Sequence, residues 1–153
     1  MEKIEQILSG HPFFAGLEPE QIKTIAKSAI SLTFNPGEFL MREDEPGNCF
    51  YLINQGRVAL EVFTPERGSI IIQTIGENEI LGLFWLIPPY QCRFDVKAME
   101  LTRAICIDGQ GLRDFCNSNP GAGFEILKRT TQIMANSLEA TRVQLLDIYG
   151  DHS

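Results

Sequence analysis

Between Asn35 and Leu83 the chain breaks into short runs of β-branched and aromatic residues punctuated by glycine. The punctuation reads Asn35-Pro36-Gly37-Glu38, Glu45-Pro46-Gly47-Asn48, Gln55-Gly56-Arg57-Val58 and Ile80-Leu81-Gly82-Leu83. Glycine supplies turn conformations that a Cβ disfavours, and the runs between suit a pleated, partly buried surface. This pattern predicts a small antiparallel β-roll or barrel with one special loop near its end.

The 153 residues, 44% of them hydrophobic, are enough for one domain with one good core, so residues 1–153 are read as a single unit. A net charge of −7 leaves a surface that repels a phosphate backbone, and direct contact with nucleic acid is not expected. The densest basic spot, Lys128-Arg129, sits among ordinary helix residues and reads as a solvated face. Cys49, Cys92, Cys106 and Cys116 lack Cys-x-x-Cys spacing, and His11 and His152 lie near opposite ends, so no metal centre is expected. Reduced, structural thiols in a cytoplasmic protein are the default reading. The charged start Met1-Glu2-Lys3-Ile4-Glu5 does not resemble a signal peptide, and no apolar run approaches the ~20 residues that span a bilayer.

Lys3–Leu8 predicts a short amphipathic helix, and Pro19 opens a second in which Ile22, Ile25, Ala26 and Ala29 share a face. Residues 1–30 are therefore N-terminal helices, 31–108 the roll and 109–150 C-terminal helices. Pro65-Glu66-Arg67-Gly68 predicts a hairpin turn between Val58–Phe63 and Ser69–Ile75, and Val96–Ala98 and Thr102–Ile107 complete the strands. Asp108 can cap a helix to about Asn117, and Asn119-Pro120 opens a long last one.

That last helix has a seam of its own. Phe124, Leu127, Thr131, Met134, Leu138, Thr141, Leu145 and Ile148 recur at alternating three- and four-residue steps, while Ile126, Ile133 and Ala140 form a second stripe. Two stripes imply two partners, the roll and a second copy of this chain, so a homodimer through Leu127, Thr131, Met134, Leu138, Thr141, Leu145 and Ile148 is expected.

Together these residues resemble the cyclic nucleotide-binding domain family, specifically the sensor half of catabolite activator and FNR-type bacterial regulators. The resemblance is carried by Phe13-Phe14-Ala15-Gly16-Leu17, Phe34-Asn35-Pro36-Gly37-Glu38, Tyr51 to Val58, and Val96-Lys97-Ala98 followed by Leu101-Thr102-Arg103-Ala104. It implies a mainly β fold: an antiparallel β-roll of jelly-roll type with N-terminal helices and a long C-terminal dimerisation helix. Asp44 departs from the family, which usually has glycine there.

In that family a cassette between the sixth and seventh strands holds the nucleotide, with a Gly-Glu pair on the ribose and an arginine on the phosphate. The matching segment runs from Gly82 to Phe94, with Leu83 where the glutamate would be. Counted forward from Gly82, Arg93 falls at the arginine's place; counted back from Val96-Lys97-Ala98, that place is Cys92. The resemblance thus nominates Gly82, Leu83, Phe84, Trp85, Cys92, Arg93 and Phe94 as ligand-facing, with Thr130 and Thr131, then Asn136 and Ser137, from the last helix. Phe84, Trp85, Tyr90 and Phe94 either line a pocket for an apolar ligand or protein partner, or close it as core.

The resemblance also implies a sensor that lacks its own winged helix-turn-helix and signals through an unknown protein partner, with no membrane role. The alternatives are a genuine cyclic AMP or cyclic GMP sensor, or a partner in mixed complexes with a helix-turn-helix regulator. A cofactor is not required, although a cyclic nucleotide or another small apolar ligand remains open. No catalytic constellation is expected, because neither histidine lies near a credible nucleophile.

Overall fold

The segment Cys49–Gln55 has no polar face: Phe50, Tyr51, Leu52 and Ile53 are all buried. Because strand side chains alternate, such a strand must be covered on both sides. The computed structural model, which describes residues 2–150, shows what covers it. The N-terminal part comprises α1 (Glu2–Ser9), a 3-10 turn (Pro12–Phe14) and α2 (Pro19–Ala26). The strands are β1 (Ala29–Phe34), β2 (Phe39–Met41), β3 (Cys49–Gln55), β4 (Val58–Thr64), β5 (Gly68–Ile75), β6 (Ile80–Leu81), β7 (Asp95–Ala98) and β8 (Thr102–Asp108). A 3-10 turn (Leu83–Trp85) follows β6, and α3 (Gly109–Ser118) and α4 (Pro120–Gly150) end the chain.

Among the described residues the strands form two four-stranded antiparallel sheets, ordered β1-β8-β3-β6 and β2-β7-β4-β5. The expected roll with flanking helices is borne out. The first strand starts at Ala29 rather than Ser31, because Ala29 pairs with Ile107 and Ile30 with Cys106. Tyr51 and Ile53 of β3 point into the roll with Leu60, Ile75, Val96 and Ala104. Phe50 and Leu52 point the other way, into a second core with Phe13, Phe14, Ile22, Ile25, Leu112 and Phe115 from the helices. The first sheet is thus a shared wall between roll and helices. No helix among the described residues is long and apolar enough to cross a membrane.

The thiol reading needs correction. Cys49 and Cys106 form a disulfide between β3 and β8, with Cα atoms 5.5 Å apart, leaving only Cys92 and Cys116 free. The two are far apart in sequence, and only the pairing of β3 with β8, which sets Tyr51 opposite Cys106, brings them together.

Helix α4 has two sides, as its two stripes require. Ile126 and Thr130 are fully buried, Ile133 packs against the helical core, and Gly123 lets the helix approach α3 so closely that a Cβ would lie 2.7 Å from the Cys116 carbonyl oxygen. Ala140, assigned to the inner stripe, is exposed, because the inner contacts fade along the second half of the helix. The charges of Lys128 and Arg129 are met locally by Glu125, at 3.4 and 3.6 Å.

Two predictions concern the roll. Gly56 has φ of 99°, and a Cβ there would sit 2.5 Å from the Leu101 carbonyl oxygen and 2.6 Å from Thr102 Oγ1. Gly56→Ala is expected to lose at least about 1–3 kcal/mol of stability in urea titration, since backbone strain and the clash act together. Inside the roll, burial pushes the Tyr51 phenol above its ordinary 10.0, with Cys92 adding to the rise. Burial, then Glu45 and Asp95, likewise pushes the Cys92 thiol above 9.0. Both groups are held protonated in the folded state, so unfolded chains shed these protons first as pH rises. Their contribution is whole below the ordinary values of 9.0 and 10.0 and is lost as pH climbs through the raised ones. Unfolding free energy is expected to fall above the lower of those values, and less steeply in Tyr51→Phe, as followed by circular dichroism.

Candidate functional site

Strand β6 delivers the chain to Gly82 hard against β3. Gly82 has φ of 86°, and a Cβ there would lie 2.5 Å from the Cys49 carbonyl oxygen. The turn that follows splits its aromatics between the two cores. Trp85 is fully buried on the helical side, edge-on to Phe50 at 5.9 Å, and Gly109 leaves room for it. Phe84 faces the opposite way and packs on Phe94 at 5.2 Å, against the roll interior. The backbone of Leu83 starts the turn; its side chain lies outside the described residues.

Two sets of contacts hold the rest of the loop. Arg113 of α3 donates to the Trp85 carbonyl and to Gln110 Oε1 (2.9 Å), and its guanidinium stacks 4.1 Å over the Tyr90 ring. Residues 44–47 grip the far side: Gly47 N–H donates to the Tyr90 carbonyl (2.5 Å), Cys92 N–H to Glu45 (2.9 Å), and Asp44 N–H to Cys92 (2.9 Å). Asp44 has φ of 69°, a left-handed conformation that glycine would adopt without steric cost.

This loop, the roll and α4 enclose a cleft of 880 Å³. Leu60, Ile75, Ile80 and Leu81 form its roll side, Phe84 and Phe94 its base, and Ile87, Pro88 and Pro89 its lip. Helix α4 contributes Gln132, Ile133, Met134, Asn136, Ser137, Leu138 and Thr141. The N-terminal turn closes one end. His11 Nδ1 accepts the Phe13 N–H (3.0 Å), so its Nε2 carries the proton and donates to the Asn78 carbonyl (2.6 Å).

Gly82, Phe84, Arg93 and Phe94 line this cleft, as do Asn136 and Ser137. Four nominated residues do not. Trp85 is taken by the helical core. Cys92 turns inward, its thiol toward the Pro46 carbonyl (3.8 Å), which places its neighbour Arg93 on the cleft wall. Thr130 is fully buried with its hydroxyl donating to Ile126 (2.9 Å), and Thr131 is exposed, donating to Leu127 (2.9 Å). Thr130 lies four residues before Met134 and seven before Ser137, on the same face of α4, but at a level where that face is fully buried. Sequence reasoning missed Gln132, His11 and Arg113. The stripe through Ile126 and Ile133 could have indicated Gln132; nothing local pointed to the other two.

The proposed dimer residues Leu127, Thr131, Met134, Leu138, Thr141, Leu145 and Ile148 are all exposed in the single chain, Leu138 at 72%. Met134, Leu138 and Thr141 also line the cleft, so seam and cleft share one edge.

Comparison with known proteins follows from this geometry. The family model described as cyclic nucleotide-binding domain matches residues 31–119. A "CRP-like cAMP-activated global transcriptional regulator" of Mycobacterium tuberculosis is 24% identical over 145 residues, which cover 95% of this chain and 63% of that protein. The chain thus spans under two thirds of the length of that relative. A crystal structure of a putative cyclic nucleotide-binding protein from Geobacter metallireducens aligns with TM-score 0.78 and 24% identity, covering 90% of this chain and 99% of that one. A cyclic nucleotide-binding domain from Methylobacillus flagellatus aligns with TM-score 0.79 and 20% identity, covering 95% and 82%. At such identities the structures establish the fold alone.

Trp85 is the single tryptophan and reports on the loop that Arg113 holds. Arg113→Met removes a charged hydrogen bond, a loss of about 1.5–3 kcal/mol. Its expected signature is a lower melting temperature together with red-shifted tryptophan emission as the turn leaves the helical core.

Proposed function

The chain belongs to the cyclic nucleotide-binding domain family, and from that membership we propose that it is a non-enzymatic sensor module. It takes a small ligand between roll and α4 and passes the signal on through protein contacts of α4. The carrying observation is the shared edge: Met134, Leu138 and Thr141 belong both to the cleft wall and to the exposed heptad seam. A ligand that repositions these side chains alters the surface offered to a partner.

A second copy of this chain is the partner the seam fits. Leu127, Met134, Leu138, Leu145 and Ile148 repeat at coiled-coil spacing and remain exposed. Each aliphatic side chain buried contributes roughly 1.5–3 kcal/mol, against an association cost on the order of 4–15 kcal/mol. Two seams buried only in part offset that cost without a large excess, so the helix contacts make a modest dimer. Downstream, the dimer works on a further protein rather than on DNA, consistent with a net charge of −7.

Cyclic nucleotide is a poor fit to the ligand role. Leu83 supplies no carboxylate for a ribose diol, and loss of such a charged hydrogen bond costs about 1.5–3 kcal/mol, or one to two orders of magnitude in affinity. One observation favours the alternative of a genuine nucleotide sensor: Arg93 faces the cleft, where it can meet a phosphate. Calorimetry with cyclic AMP and cyclic GMP separates the two, weak or undetectable heats being expected; micromolar binding of either would establish the alternative.

Leu138→Arg places a charge in the seam. Sedimentation velocity is expected to show a dimer for the unmodified chain and a monomer for the variant, and a variant that stays dimeric would show that the interface lies elsewhere.

A further inference from the structure

We propose that the cleft takes an apolar carboxylic acid, with its carboxylate on Arg93 and its hydrocarbon body against Phe84, Phe94, Ile75 and Ile133. This rests on the reading of the cleft as a ligand site and names the chemistry that fits it.

Charge decides the polar end. The ionisable side chains on the cleft wall are His11, Glu79, Arg93 and Arg129. Both ring nitrogens of His11 are engaged, Nδ1 with the Phe13 N–H and Nε2 with the Asn78 carbonyl. Glu79 Oε1 accepts the Gly76 N–H at 3.2 Å. Arg129 donates to the Phe13 carbonyl at 2.7 Å and pairs with Glu125 at 3.6 Å. Arg93 is exposed on the wall, and among the described residues no carboxylate lies within ion-pair distance of it. Two charges on the cleft wall lack an ion-pair partner among the described residues, the Glu79 carboxylate and the Arg93 guanidinium; of these only the guanidinium can hold an anion, and its planar fork matches a carboxylate in a paired, two-point contact.

The walls decide the rest of the ligand. Arg93 adjoins Phe94 in sequence, and Phe94 packs on Phe84, so the cation stands at the edge of an aromatic surface that aliphatic side chains continue across the cleft. Against that surface, sugar hydroxyls and base edges would give up water without gaining partners, which is costly. On α4, Gln132 Nε2 donates to Asn136 Oδ1 at 3.1 Å, which ties one donor and one acceptor of these amides to each other. A molecule with one anionic end and an otherwise apolar body leaves no polar group stranded. The volume of 880 Å³ accommodates a medium alkyl chain or an arylalkyl group.

The test compares each acid with its uncharged counterpart on the full chain: octanoate with 1-octanol, and 4-phenylbutyrate with 4-phenyl-1-butanol, with cyclic AMP as a further arm. Binding is followed by calorimetry and by the emission of Trp85, which lies in the loop at the cleft base. At least one acid is expected to bind roughly tenfold or more tightly than its alcohol, the scale of one charged hydrogen bond. Arg93→Gln is expected to erase that preference while leaving the alcohol's affinity and the melting temperature unchanged, since Arg93 is exposed. Equal binding of acid and alcohol, or a preference that survives in Arg93→Gln, overturns the proposal. Micromolar binding of cyclic AMP without either acid overturns the ligand class but preserves a ligand-sensing cleft, and no binding by any probe removes both.

Discussion

The fold depends on a strand that is buried on both faces. With Phe50 and Leu52 turned toward the helices and Tyr51 and Ile53 into the roll, β3 is the wall through which two hydrophobic cores meet. Neither the roll nor the helical cluster can close without it, because each would leave one face of the first sheet in water. The disulfide from Cys49 to Cys106 and the close approach of Gly82 to the Cys49 carbonyl lie at one end of the same strand.

The cleft inherits its form from that wall. Trp85 is drawn to the helical core by Phe50, which forces Phe84 to the other side of the turn and so furnishes the cleft base. Arg113 then fastens the loop to α3, and α3 packs on α4 at the glycine contact between Gly123 and Cys116. A continuous set of packed groups therefore runs from the loop to the helix that also forms the opposite wall. Ligand contact and partner contact are joined by geometry at Met134, Leu138 and Thr141.

Several features of this arrangement were legible from local pattern. The hairpin turn at Pro65–Gly68, the Asp108 cap and the inner stripe of α4 as far as Ile133 follow from rules that act within a few residues. Elsewhere the reading went astray for identifiable causes. The disulfide needed the register of β3 on β8, which unites residues 57 positions apart. Thr130 shares a helix face with Met134 and Ser137 of the cleft, yet it is fully buried while Thr131 is exposed, a difference of level and packing that spacing along the helix does not show. Trp85 looked like a cleft ring because sequence shows that an aromatic is present but not which of two cores claims it.

Periodicity, glycine placement and charge were sufficient to establish a roll with helices at both ends, because each depends on short-range sterics or on total composition. The direction of each loop side chain was not accessible in that way. Cys92 and Arg93 differ by one position, and which of them meets the cleft follows from hydrogen bonds that residues 44–47 make to the loop across the fold. Folding also brings Arg129 to the Phe13 carbonyl, 116 positions away, while Arg93 has no ion-pair partner among the described residues. Long-range contacts set those choices, and no local pattern encodes them.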